Sequence, residues 1–146
     1  MGNLARTFFS KEEKQKIMQA IAEAEKATSG EVRVHVENKC DEEALECASH
    51  AFATLKMHQT KQRNGVLFYL AVQSKKFAIL GDVGINQKVP ENFWDDIKVE
   101  MHSAFLKGDF AGGLTQGILR AGEQLKVHFP YQTDDKNELS DEISFG

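Results

Sequence analysis

Cysteine and proline are scarce in this chain, with two of each in 146 residues. Two cysteines cannot build the multi-bridge framework of a small secreted scaffold. Cys40 and Cys47 stand seven apart, which on one helix places them near one face but too far along it for an easy bridge. They read as reduced thiols, in keeping with a cytoplasmic protein. The five histidines show no zinc-ligand spacing around that pair. No apolar run approaches the ~20 residues that cross a bilayer, and Met1 to Phe9 lacks the basic start, apolar run and cleavage site of a signal peptide. Arg6 stands where myristoylation of Gly2 would need Ser or Thr.

An excess of positive charge is lacking too. Lys and Arg number 18 against 22 Asp and Glu, a net charge of -4, so a nucleic-acid partner is not expected. The one local basic cluster, His58, Lys61 and Arg63, reads as a solvated loop. The chain has no phosphate-binding P-loop and no dinucleotide fingerprint after its first strand. It has no nucleophile elbow and no cysteine placed as a nucleophile.

What is present is one domain's worth of core, with 41% hydrophobic residues. Ser10-Lys11-Glu12-Glu13 is a capping box, followed by Ile17, Ala20, Ile21 and Ala24 at helical spacing until Ser29-Gly30. Glu31 to Glu37 alternates: Val32, Val34 and Val36 face one way, Arg33 and His35 the other, which predicts a strand. Asp41 is placed to cap a second helix carrying Ala44, Leu45, Ala48, Phe52 and Leu55. Val66 to Val72 is apolar on both faces and reads as a central strand, parallel to the first. Gln73 to Lys76 turns the chain into an antiparallel return strand, Phe77 to Leu80.

Pro90 suits the first turn of a third helix, with its stripe at Phe93, Trp94, Ile97, Met101, Ala104 and Phe105. Asp109 caps a fourth. Gly113, Gly117 and Ala121 recur at four-residue steps along it, which predicts close approach to a neighbouring element, since helical glycine otherwise costs about 1 kcal/mol. Residues 131–146 are polar and acidic. They read either as a disordered tail or as a segment whose alternating Ile143 and Phe145 dock on a groove or sheet edge.

Three stretches carry a resemblance. They are Arg63-Asn64-Gly65-Val66-Leu67-Phe68-Tyr69-Leu70-Ala71-Val72, Lys75-Lys76-Phe77-Ala78-Ile79-Leu80-Gly81-Asp82-Val83-Gly84-Ile85, and Lys107-Gly108-Asp109-Phe110-Ala111-Gly112-Gly113-Leu114. Their order resembles the TPM domain, a small α/β module of thylakoid-associated and bacterial membrane proteins. The resemblance implies a TPM domain over residues 1–130, followed by the acidic segment 131–146; an export signal and a trailing membrane helix are common in the family, and without them the sequence reads as a stand-alone TPM domain. The expected fold is α/β, a three-layer αβα sandwich with a small mixed sheet. Three strands are legible, and the family implies a fourth. Some members bind divalent metal, and a plant branch has phosphatase activity.

Asp82 is the residue on which function turns. The return strand ends at Gly81-Asp82 beside the start of the central strand at Asn64-Gly65, so the loops 58–64 and 82–89 meet at one edge. Asp82, Asn64, Asn86 and Glu91 could offer oxygen ligands to calcium or magnesium there. The competing reading of Asp82 is a turn residue bonding its own backbone. Asp109 is the fifth candidate ligand, with capping of its helix as the competing reading. His35 is either a half-exposed strand residue or a general base or phosphate contact. The expected function is a calcium- or magnesium-binding domain in which metal orders two adjacent loops for an unidentified protein partner. The alternative is a metal-assisted phosphomonoesterase.

Overall fold

The computed structural model describes residues 4–131 and 139–146. The helices are α1 (Leu4–Phe8), α2 (Lys11–Ala27), α3 (Ala44–Thr54), α4 (Val83–Asn86), α5 (Asp95–Leu106) and α6 (Phe110–His128). The strands are β1 (Glu31–Glu37), β2 (Gly65–Ala71), β3 (Lys76–Gly81) and β4 (Ser144–Phe145). They form one sheet in the order β3-β2-β1-β4. β1 is parallel to β2 and to β4, whereas β3 returns antiparallel to β2, so the sheet is mixed.

Alternation along the strands sorts side chains into two layers. Val32, Val34, Val36, Val66, Phe68, Leu70 and Ile79 face one side, where they pack with Ile17 and Ile21 of α2, Ile97 and Met101 of α5, and Leu114 and Ile118 of α6. Leu67, Tyr69, Ala71 and Ala78 face the other and pack with Cys47, Ala48 and Ala51 of α3. The result is the expected αβα sandwich. α3 packs mainly on β3 and β2, on the sheet face that also carries Arg33, His35 and Glu37 of β1.

Local signals act as read at both ends of the helical layer. Ser10 and Glu13 form a reciprocal capping box on α2, and Asp109 caps α6 by accepting from the Gly112 amide at 2.9 Å. The glycine spacing on α6 is used for close approach. A Cβ at Gly117 would fall 2.6 Å from the Met101 sulfur, and one at Gly122 only 2.8 Å from the Ala24 Cα.

Several expectations need correction. Asp41 does not cap α3; Glu43 stands at that position without a side-chain bond. Cys40 precedes the helix instead of lying on it, so its Cα comes within 6.1 Å of that of Cys47 and the two form a disulfide. A loop residue is not bound by the 1.5 Å rise per residue that would hold two helical cysteines apart. The loop after β3 contains the short helix α4, and Pro90 opens a set of turns that precede α5. The fourth strand is found within the segment read as an acidic tail: Ser144 pairs with His35 and Phe145 with Val36. The docked alternative therefore describes the end of that segment, while residues 132–138 lie outside the described residues.

Candidate functional site

The loops entering β2 and leaving β3 do cross. Gly84 lies so close beneath the first that a Cβ there would fall 2.3 Å from the Gln62 carbonyl oxygen and 2.6 Å from that of Arg63. Its amide donates to the Arg63 carbonyl at 2.9 Å. Only glycine permits this approach. Arg63 itself takes a positive φ of 52°, a sparsely populated conformation for a side-chain-bearing residue.

Asp82 sits at the crossing as the N-cap of α4. Its Oδ1 accepts from the Val83 amide at 2.7 Å. Its carboxylate also takes a two-pronged ion pair from Arg63, Nε to Oδ2 at 2.8 Å and Nη2 to Oδ1 at 2.9 Å. The Asp82 side chain is 4% exposed and that of Arg63 45% exposed. Arg63 is held more firmly protonated, chiefly by its hydrogen bond to Asp82; desolvation opposes this, and the charge of Asp82 adds a smaller push in the same direction as the hydrogen bond. A buried carboxylate therefore has an internal cation that water can reach. Arg63 is thus more than a member of the solvated basic cluster with His58 and Lys61, through a partnership that no local spacing signals.

The other proposed ligands divide. Asn86 is beside Asp82: its Nδ2 donates to the Gly81 carbonyl at 3.2 Å, which leaves its side-chain oxygen as an acceptor. Asn64 is turned away toward β1. Its Nδ2 donates to the Ser29 carbonyl at 3.1 Å, and its Oδ1 is buried without a hydrogen-bond partner. Glu91 is exposed in the turns before α5. Asp109 lies at the opposite end of the domain from the crossing loops. The C-terminal end of the 19-residue α6 meets the start of β1 through Ser29 and Phe129, so its N-terminus is about 28 Å away along the axis.

The fit to a metal is thus partial. Asp82, the crossing carbonyls of Gln62 and Arg63, and Asn86 form an all-oxygen set of the kind hard cations favour. Among the described residues, no three His, Cys, Asp or Glu side chains converge in a metal-holding group. Arg63 already neutralises the Asp82 carboxylate.

A second polar cluster lies at the opposite, carboxyl end of the parallel strands. His35 is 7% exposed; its Nδ1 lies 3.0 Å from the Ser144 hydroxyl and its Nε2 3.4 Å from Glu37 Oε1. The imidazole stacks on the Tyr69 ring at 6.1 Å, and the Tyr69 hydroxyl donates to the second Glu37 oxygen. Burial pulls His35 below its ordinary titration range, with Glu37 opposing. Burial, reinforced by Glu37, pushes the Tyr69 phenol well above its own range.

Comparison with known proteins agrees with this architecture. In solved structures, the chain is 45% identical to the BA42 protein of the psychrophilic bacterium Bizionia argentinensis, with a TM-score of 0.90 over 95% of this chain and 96% of that one. The N-terminal domain of a P. gingivalis protein shares the fold at 17% identity and a TM-score of 0.69, over 85% of this chain and 82% of that one. The N-terminal domain of cg2496 from Corynebacterium glutamicum does so at 13% identity and a TM-score of 0.60, over 92% and 79%. No curated protein matches the sequence. No helix among the described residues is long and apolar enough to cross a membrane. The TPM domain model matches residues 4–124, and the chain belongs to the TPM domain family.

Proposed function

We propose that this TPM domain is a divalent-cation-responsive module in which calcium or magnesium competes with Arg63 for Asp82 and so resets the two crossing loops. The observation that carries this reading is the ion pair itself. A buried carboxylate held by a half-exposed guanidinium is a site where one cation can exchange for another. The donors that would hold the metal are Asp82, Asn86 and the carbonyl oxygens of Gln62 and Arg63. Releasing Arg63 would free a side chain at the protein surface, and a loop pair with two arrangements is what a regulatory or interaction role requires.

The test is calcium titration of metal-free protein, following thermal stability and backbone amide shifts. Stabilisation of about 2.7 kcal/mol is expected at ~100 times the dissociation constant. Arg63→Gln should bind calcium more tightly, because the competing cation is gone. Asp82→Asn should weaken binding by on the order of tenfold or more, through loss of ligand charge. Asparagine also loses the ion pair with Arg63, so the variant is expected to melt below wild type without metal. An absence of any shift in wild type and in Arg63→Gln at millimolar calcium refutes the proposal.

A further inference from the structure

The cluster around His35 is separate from the crossing loops and opens onto a cleft of about 590 Å³. The cleft lies between α3, with Cys47, His50, Ala51 and Thr54, and the ends of β1 and β4. It lies at the carboxyl ends of β1 and β4, which pair side by side in parallel. The Cys40–Cys47 disulfide forms part of its wall, with Ala51 and Leu55 supplying apolar surface.

The hydrogen-bond directions in the cluster follow from elementary chemistry. An ionised Glu37 can only accept, so the neutral imidazole carries its proton on Nε2, facing that carboxylate. Nδ1 is then a bare acceptor, and the Ser144 hydroxyl donates to it. The Tyr69 hydroxyl fixes the far oxygen of Glu37. A hydroxyl, an imidazole and a carboxylate are thereby in series, the last oriented by a buried phenol. That is the arrangement in which a serine becomes a nucleophile.

We infer that Ser144, His35 and Glu37 form a nucleophile–base–carboxylate array that hydrolyses small uncharged carboxylic esters. The Ser144 oxygen bonds to the ester carbonyl carbon as its proton passes to His35 Nδ1. The carbon–alkoxy bond breaks, and the leaving alcohol takes that proton. Water then attacks the acyl-serine, giving its proton to Nδ1, and Ser144 recovers it as the carboxylic acid departs. Glu37 stabilises the transient imidazolium. Lys39, on the cleft wall, is the ammonium available to the developing oxyanion. Glu37, Asp41 and Glu42 outnumber it there, which disfavours anionic substrates such as phosphate esters.

The experiment treats the full chain, in chelator, with an alkyl fluorophosphonate and maps the adduct by mass spectrometry. The Ser144 oxygen displaces fluoride at phosphorus, and His35 takes the proton. Ser140, an exposed serine on the same segment, is the internal control. Ser144 should be labelled roughly 100-fold faster than Ser140, the range expected of an engaged general base. Ser144→Ala should abolish turnover of p-nitrophenyl acetate, while Ser140→Ala keeps it. His35→Asn should remove labelling, and Glu37→Gln should slow it. Circular dichroism establishes that each variant is folded, and Glu37→Gln decides the matter if the buried His35 does not tolerate change. Labelling of Ser144 no faster than of Ser140, or undiminished in a folded Glu37→Gln variant, overturns the inference.

Discussion

Gly122→Ala sets two well-defined effects against each other. Alanine in a helix interior is favoured over glycine by about 0.8–1.0 kcal/mol, and on an open surface that gain would appear as stability. Gly122 is not on an open surface. Its added methyl would lie 2.8 Å from both the Cα and the Cβ of Ala24 and 3.0 Å from the Ala24 carbonyl oxygen. Two of those atoms are backbone of α2, so no rotamer change relieves the contact. The helices must part by several tenths of an ångström, loosening the packing around Ile21 and Leu125, both fully buried. Overpacking of this kind costs about 1–3 kcal/mol. The net expectation is a loss of about 1 kcal/mol, or about 2–4 °C in melting temperature for a domain of this size. Gly117→Ala is the matched control, because there the methyl meets the sulfur and Cγ of Met101, a side chain able to move aside. Its loss should be smaller. Urea unfolding with an unchanged m-value measures both. If Gly122→Ala proves as stable as wild type, or more stable than Gly117→Ala, the claim of a rigid contact between α2 and α6 is wrong.

Two further outcomes test other parts of the account. Asp109→Ala removes a helix cap and should destabilise the domain by about 1 kcal/mol, yet leave calcium affinity unchanged, since Asp109 is at the far end from the crossing loops; a change in affinity measured by calorimetry would return it to the ligand set. Glu25 is pushed up from its ordinary 4.5 to about 9, first by burial and then by a hydrogen bond with Asp141, while the Val32 amide it accepts from opposes the rise. Between those values the unfolded chain releases a proton that the folded chain retains, so the contribution of Glu25 to stability is full below about pH 4.5 and is lost as the pH rises toward 9. Glu25→Gln cannot titrate. It should match wild type most nearly at pH 4 and exceed it in melting temperature at pH 8, and a constant difference across that range would contradict the assignment.

What the chain encodes locally was legible residue by residue. The capping box at Ser10 and Glu13, the alternation of Val32, Val34 and Val36, the doubly apolar run of β2 and the cap at Asp109 each depend on neighbours within about four positions. The glycine steps of α6 announced a close contact without naming its partner. The rest depended on groups far apart in sequence. Cys40 bridges to Cys47 because it lies in the loop between β1 and α3, and not on one helix with Cys47. Arg63 meets Asp82 only because β2 and β3 pair antiparallel and bring their loops across one another. Ser144 reaches His35 because β4, two residues long, occupies the edge of β1 from 109 positions away. So short a strand carries no periodicity of its own, and it exists only because the sheet edge supplies the missing partners of its backbone. Propensity and pattern thus determined the layers of this protein, whereas both polar clusters were decided by which strand ends the tertiary fold placed side by side.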